Sequence, residues 1–278
     1  MPYAQVLTTA FKAAAAGGTF ADSLAANSGD SLSVANFNTG GARVLEAWAI
    51  DSDSVAEFQW IYTRPEATHD QQHGVRFEVP AIALGGAATN AAFNVLQGMD
   101  VINLFKSDTA TIQATSTNGD DLLLSWITEY DDLPGASAVF ANPGQVAAMH
   151  KSKVGIFVGP TAGAVGTYGT SRAFNADDDR LHANTWYALL GWTVQTQVTT
   201  IAITGPDWGG QRIGGPAGAL YLNSNTWFLD QSLKWGKPMI PCFNSNNKGN
   251  ILVAVADGEA STQPKIDFNL VELTGMPG

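Results

Sequence analysis

The sequence has few charged residues and almost no cysteine. Charged residues make up 14% of the 278 residues and hydrophobic residues 45%, whereas about a quarter of a typical soluble chain is charged. The one cysteine, Cys242, excludes an intrachain disulfide, and its apolar neighbours indicate a small buried side chain rather than a nucleophile. So little charge indicates either a large apolar core or a surface that other protein chains cover.

Positive charge is especially scarce. The chain has 14 Lys and Arg residues against 25 Asp and Glu, a formal net charge of −11. Proteins that bind nucleic acid directly use Lys and Arg to displace counterions from phosphate. Direct nucleic-acid binding is therefore not expected, and the acidity is interpreted as a source of solubility.

Long apolar runs are absent as well. No run reaches the roughly 18 residues that a membrane-spanning helix needs, and the N-terminus lacks the basic and apolar segments of a secretory signal. We therefore expect the protein to be made in a cytoplasm and either to act there or to leave as part of something larger.

Recognisable metal and phosphate signatures are missing too. His69 and His73 would face the same side only in a helix, and no third ligand accompanies them. The glycines of 159–163 lack the Gly-Lys-Ser/Thr ending of a phosphate-binding loop. The carboxylates at 177–179 and 131–132 are interpreted as solvated loops, with a surface calcium site as the alternative. No catalytic, cofactor-binding or metal-binding residue is predicted, and no enzymatic activity is expected.

Most of the chain is predicted to form short strands. Aromatic and β-branched residues recur in runs separated by Gly, Asn, Asp and Pro, and the glycine-rich segments 159–172 and 205–218 are predicted to be loops. Asn118-Gly119 predicts a hairpin. An alanine-rich helix is predicted at 3–16. The strands are predicted at 43–50, 57–62, 75–79, 101–105, 111–116, 122–130, 154–158, 185–196, 199–204, 219–222, 238–243, 250–256 and 265–273.

Short matches recur in the two halves in the same order. Leu-x-x-Trp-x-Ile at 45–50 matches Leu-x-x-Trp-x-Val at 189–194, which places Trp48 and Trp192 at equivalent positions 144 residues apart. Ordered matches of this kind are typical of an internal repeat.

Two further matches follow the tryptophan motif. Gly, Ile and Phe in 98–105 match 236–243 at an offset of 138, and 127–130 match 270–273 at an offset of 143. Loop insertions explain small changes in offset, so the halves are interpreted as duplicates.

At roughly 110 residues of short strands, each half suits an eight-stranded jelly-roll sandwich. An immunoglobulin-like sandwich is the alternative, although its Cys-Trp-Cys arrangement is absent. The predicted fold is therefore all-β, with two tandem jelly rolls and a short N-terminal helix. The predicted divisions are 1–29 for the helix and arm, 30–135 for the first jelly roll, 136–153 for a linker and 154–278 for the second jelly roll.

On these repeated motifs the chain resembles the tandem (double) jelly-roll major capsid proteins of icosahedral viruses, bacteriophages among them. The resemblance is architectural and covers roughly residues 30–278. It implies a homotrimer of pseudo-sixfold outline that tiles an icosahedral shell and is located in the virion. The implied partners are further copies, other capsid proteins and an internal membrane that the N-terminal helix would touch, with no cofactor.

Two other functions are consistent with a β scaffold. A carbohydrate-binding sandwich, as in a lectin or a receptor-binding spike, would use exposed aromatic residues such as Trp208 and Trp227 to stack on sugars. A glycoside hydrolase would need two carboxylates about 5–9.5 Å apart in a cleft. Neither leaves a motif in the sequence.

Overall fold

The computed structural model describes two parts of the chain at different depth. In residues 1–138 it describes the backbone of nine strands, together with the side chains of Leu7, Arg43 and Leu45. In the second part it describes residues 139–163, 168–194, 198, 200–217, 224–256 and 264–278.

The first part forms two antiparallel sheets. One sheet has the order β2-β1-β9-β3-β6, with β7 also paired to β3, and the other has the order β5-β4-β8. The strands are β1 (Ala4–Lys12), β2 (Ala25–Ala26), β3 (Ala42–Ile50), β4 (Ala56–Thr63), β5 (Gln72–Val79), β6 (Ala92–Asn94), β7 (Ile102–Leu104), β8 (Thr109–Ser116) and β9 (Leu122–Tyr130).

The second part forms two further antiparallel sheets and two helices. The sheet orders are β10-β16-β13-β18-β11 and β12-β17-β14-β15. The elements are β10 (Phe140–Ala141), α1 (Pro143–Met149), β11 (His150–Val158), β12 (Arg172–Ala173), β13 (Trp186–Val194), β14 (Thr200–Thr204), β15 (Arg212–Pro216), α2 (Trp227–Trp235), β16 (Ile240–Asn244), β17 (Leu252–Ala256) and β18 (Ile266–Leu273). The prediction of a predominantly β protein is confirmed, and the strand predicted at 219–222 lies outside the described residues.

The predicted N-terminal helix is wrong. Residues 4–12 form β1, which pairs with β9 along nine residue pairs, from Ala4↔Tyr130 to Lys12↔Leu122. Alanine favours helix only weakly, and the segment also contains β-branched residues, which suit a half-buried strand. The sheet offers partners for every residue of the segment, so tertiary pairing outweighs local propensity.

The hairpin predicted at Asn118-Gly119 is also wrong. The two strands that flank it, β8 and β9, belong to different sheets of the first part. β8 pairs with β4, and β9 pairs with β1 and β3. The connection therefore crosses from one sheet to the other, and its own residues lie outside those described.

In the segment predicted as a linker, 136–153, the described residues 139–153 fold with the second part. It contains β10, α1 and the start of β11. Asn142 is the N-cap of α1, and Pro143 is its first residue. The Asn142 side chain accepts from the Gln145 N–H at 2.8 Å, and the Gln145 side chain accepts from the Asn142 N–H at 2.9 Å, which is a capping box.

The glycine-rich segment 205–218 contains a strand as well as a turn. β15 includes Gly214 and Gly215, which the sequence prediction assigned to a loop. A Cβ at Gly214 would overlap the carbonyl oxygen of Ile201, and one at Gly215 would lie 2.7 Å from Cε2 of Trp227. Here glycine permits close approach of a neighbouring strand and an indole ring.

The two parts repeat one pattern of strand pairing. Trp48 of β3 lies opposite Ser125 of β9, and Trp192 of β13 lies opposite Phe268 of β18. The offsets are 144 and 143, the values that the sequence matches gave for these two pairs of strands. Each pair also contains one register irregularity, between 44 and 46 in the first part and between 189 and 191 in the second.

A third strand in each part corrects one sequence match. β3 pairs Val44 with Ile102, and β13 pairs Ala188 with Cys242. With β3 and β13 offset by 144, Ile102 corresponds to Cys242 at an offset of 140. The sequence match of 98–105 with 236–243, at an offset of 138, was therefore misaligned by two residues. A shift of two residues keeps side chains on the same face of the strand.

The sheet that contains β13 is buried on both faces. Its inner face packs against the β12-β17-β14-β15 sheet in a core that includes Tyr187, Trp192, Phe243 and Phe268. Its outer face packs on both helices in a smaller core. That core contains Val139, Ala141, Val146, Ala188, Leu190, Ile240, Cys242, Val271 and Leu273.

Side chains of the first part enter the larger of these cores. Leu7 of β1 is 1% exposed and Leu45 of β3 is 2% exposed, and both belong to the cluster that includes Ile201 and Ile213. A Cβ placed at Gly214 would lie 3.2 Å from Cδ2 of Leu7. The two parts of the chain therefore share apolar contacts.

Candidate functional site

Of the histidine pair, only His73 lies within the part of the chain that the structure describes. His73 lies in β5, opposite Tyr62 of β4, so this end of the pair is a strand residue. His69 lies outside the described residues, as do Asp131 and Asp132. Within the described part of the chain, no group of three or more His, Cys, Asp or Glu side chains is placed to hold a metal ion.

The three consecutive aspartates each bind a basic side chain. Asp177 accepts from Arg172 and from the Gly159 N–H at 2.9 Å. The hydrogen bond from Arg172 lowers the pKa of Asp177. The other two pairs are Asp178 with Arg180, at 3.0 Å, and Asp179 with Lys248. These carboxylates cross-link the surface loop instead of forming a shared oxygen cage for calcium.

The aromatic residues considered for sugar stacking are buried. Trp208 is 0% exposed and Trp227 is 4% exposed, and both belong to the larger core. The Trp227 indole donates to the Gly214 carbonyl at 3.2 Å. Neither ring is available to a ligand at the surface.

Cys242 has the buried position that its neighbours predicted. Its side chain is 0% exposed in β16, and burial raises the pKa of the thiol far above its usual value. A thiol kept protonated in an apolar core is a poor nucleophile.

A polar cluster lies at the inner face of three strands, around Glu272 of β18. The carboxylate accepts from Lys151 Nζ at 2.6 Å and from Ser152 Oγ at 2.7 Å, and His182 Nδ1 lies 3.4 Å away. Strand register places Ser152 on one side of Glu272 and Tyr187 on the other. The Tyr187 hydroxyl accepts from the His182 N–H at 2.9 Å.

The cluster maintains a buried negative charge. The Glu272 side chain is 2% exposed, and burial alone would favour its neutral form. Hydrogen bonds from Lys151 and Ser152 outweigh that effect and lower the pKa of Glu272 to about 2. Such a carboxylate is ionised at neutral pH, so it suits a structural ion pair and not the donation of a proton.

The first part carries a glutamate at the equivalent position. Glu129 of β9 lies opposite Gln5 of β1 and Arg43 of β3, as Glu272 lies between β11 and β13. The sequence match at 127–130 and 270–273 contained both glutamates, but it gave no indication that Glu272 is buried. Burial and pairing depend on Lys151 and His182, which are far from Glu272 in sequence.

A groove lies on the outer face of the same sheet, beyond the helices. It has a volume of about 320 Å³ and is lined by residues of β11, β13 and β18 together with Asn225. Lys153, Thr193, Asp267 and Asn269 give it polar walls, and it opens beside β11, the last strand of its sheet. Sequence analysis did not identify this surface, because its residues come from four separate segments.

Comparisons with known proteins identify no family for this chain. No protein-family model matches the sequence, and no curated protein matches it. The chain aligns with the cryo-EM structure of the T=1 Penaeus vannamei nodavirus over 99% of this chain and 100% of that one, at 11% identity and a TM-score of 0.22. A similarity at this level establishes neither a common fold nor a common function. Among the described residues, no helix is long and apolar enough to cross a membrane.

Proposed function

We propose that this chain is a structural coat protein of a virus, for example a bacteriophage, built from two tandem jelly rolls. The observation that carries the proposal is the repeated strand order. If β10 is left out, the strands of the second part can be counted from β11 as the first to β18 as the eighth. One sheet then has the order first, eighth, third, sixth. The other has the order second, seventh, fourth, fifth.

This order is the one expected when two Greek keys form the two sheets of a jelly roll. In the first part, β1, β9, β3 and β7 repeat the first sheet, and β8, β4 and β5 repeat three strands of the second sheet. We infer that the halves arose by duplication, because pairing register as well as strand order is repeated.

The surface chemistry supports a role in assembly. A chain with 14% charged residues leaves wide areas that other subunits can cover, since interface cores are depleted in charge. The carboxylates at 177–179 are neutralised by neighbouring cations. We propose that the chain is not an enzyme, a view supported by the lowered pKa of Glu272 and the raised pKa of Cys242.

The proposed assembly is a homotrimer that tiles an icosahedral shell, with further copies and other capsid proteins as partners and the virion as its location. Closed symmetry lets many weak contacts build a stable particle. Residues 4–12 are strand β1, so a membrane contact made by an N-terminal helix is not part of the proposal.

The test is the mass of the purified chain as a function of concentration, measured by light scattering and followed by electron microscopy of the largest species. We expect trimers at low concentration and closed particles or regular sheets at high concentration. A monomer throughout the accessible range, at low and at moderate salt, would contradict the proposal.

A further inference from the structure

In the part of the chain that the structure describes, the outer edge of β11 is open, whereas the equivalent edge in the first part is covered. β1 and β11 occupy the same place in the two repeats, each paired on one side with the last strand of its part. On its other side β1 pairs with β2, through Ala10↔Ala26 and Phe11↔Ala25. Among the described residues, β11 has no strand on that side.

The side chains of β11 agree with an accessible edge. Four of the first six residues of the strand are exposed: His150, Lys151, Lys153 and Gly155. Lys151 is bound to Glu272, whereas Lys153 has no ion-pair partner in the described part of the chain. An exposed edge strand has unpaired N–H and C=O groups that can bind an added strand.

Charge is divided unequally between the two parts. Residues 1–138 contain 16 Asp and Glu against 5 Lys and Arg, whereas residues 139–278 contain 9 of each. The entire net charge of −11 therefore lies in the first part. A basic strand edge in the neutral part of one copy is electrostatically complementary to the acidic part of another.

The groove gives the added strand a place for its side chains. Gly155 lies in its wall, and a Cβ there would lie 3.9 Å from the nearest atom, the Phe268 carbonyl oxygen. A strand beside β11 would direct alternate side chains over this outer face. Lys153, an exposed residue of β11 that also lines the groove, is the charged side chain nearest to such a strand on this face.

We propose that the β11 edge and the adjoining groove bind an acidic, extended segment from the first part of a second copy. The inference rests on the proposed self-assembly and names the surfaces that meet. The contact is heterologous, with different surfaces on the two copies, so it closes into a ring if the rotation between copies is suitable. Lysines on an edge can instead serve to prevent strand addition, and the experiments distinguish these two roles.

The first experiment compares two charge reversals in the full chain. Lys153→Glu reverses the charge at the β11 edge, and Lys237→Glu makes the same change between α2 and β16, a strand towards the other edge of the sheet. Lys237 also has no ion-pair partner among the described residues. We expect Lys153→Glu to weaken self-association about tenfold at low salt, with the difference reduced at high salt and little effect of Lys237→Glu.

Equal association of wild type and Lys153→Glu would overturn the inference while leaving the proposed function intact, because the chain would still assemble. Stronger association of Lys153→Glu would indicate that the lysines keep copies apart, which also overturns it. A wild-type chain that remains a monomer would contradict the proposed function itself.

The second experiment identifies the partner segment directly. Isotopically light and heavy copies are mixed, and a carbodiimide is used to join lysine amines to carboxylates in contact. We expect mixed-isotope links between Lys151 or Lys153 and carboxylates within residues 1–138. Links from these lysines only within one copy, or only to carboxylates of residues 139–278, would overturn the inference.

Discussion

At the scale of single residues, Glu272 illustrates what the sequence could and could not indicate. Its strand was predicted at 265–273, and β18 confirms it. The ion pair with Lys151 and the hydrogen bond from Ser152 join residues about 120 positions apart. No local pattern encodes such a pairing, because the register of β11 against β18 determines it.

Glu272→Gln tests the energetic role of this cluster. The substitution keeps the shape but removes the charge that Lys151 and Ser152 stabilise, so we expect a loss of about 1–3 kcal/mol in the free energy of unfolding at pH 7. Asp267→Asn is the matched control in the same strand. It removes the half-exposed ion pair between Asp267 and Lys265 and is expected to cost less than about 1 kcal/mol. Urea unfolding measures both.

The lowered pKa of Glu272 also predicts how this difference depends on pH. Because the folded-state pKa of about 2 lies below the ordinary value of 4.5, the ionised group stabilises the fold above pH 4.5. That contribution falls as the pH drops from 4.5 towards 2. The stability difference between wild type and Glu272→Gln should therefore shrink over this interval, and a difference that grows as the pH falls would contradict the assigned role.

At the scale of elements, the sequence predicted most strands but missed elements that depend on contacts with distant parts of the chain. The runs at 43–50 and 122–130 correspond closely to β3 and β9, because alternation and β-branching are local signals. The prediction failed at 4–12, where pairing with β9 outweighs alanine content. It also missed α2, whose nine residues are followed by Gly236 as the C-cap, in a left-handed conformation with φ 63°.

The packing of α2 explains why residue 191, inside the Leu-x-x-Trp-x-Val motif at 189–194, is a glycine. Gly191 of β13 lies directly under the start of the helix. A Cβ there would overlap the Ser224 carbonyl oxygen and lie 2.6 Å from the Trp227 backbone nitrogen. The backbone of the helical segment can therefore approach β13 only because residue 191 has no side chain.

Gly191→Ala should displace the α2 segment from the sheet. We expect the overlap to lower the free energy of unfolding by about 1–3 kcal/mol. The control is Gly155→Ala in β11, also a strand glycine, where the nearest atom to an added Cβ is 3.9 Å away; its effect should be small. Thermal unfolding and tryptophan fluorescence measure the two variants. If Gly191→Ala were as stable as Gly155→Ala, the close packing of α2 on Gly191 would be contradicted.

At the scale of the whole molecule, the repeat predicted from a few matched residues extends to pairing register, but it did not indicate how the repeats contact each other. Leu7 of β1 belongs to the same core as Ile201 and Ile213 of the second part. Apolar contact between the parts means that unfolding of one should expose surface of the other. Two independent domains would instead unfold separately.

Leu7→Ala tests this coupling, with Cys242 as the reporter. Because Cys242 is the sole cysteine and is 0% exposed, a thiol reagent can reach it only when the second part opens. Removing the Leu7 side chain leaves a cavity next to β15, so we expect the free energy of opening at Cys242 to fall by about 2–5 kcal/mol.

Leu233→Ala is the control for that measurement. Leu233 lies in α2, much closer to Cys242 in sequence, but it is 63% exposed. Its truncation should change the free energy of opening by no more than about 0.5 kcal/mol. Labelling of Cys242 as a function of urea gives both values. If Leu7→Ala left the labelling curve unchanged while destabilising the first part, the repeats would be independent folding units, and the shared core would contribute nothing to cooperativity.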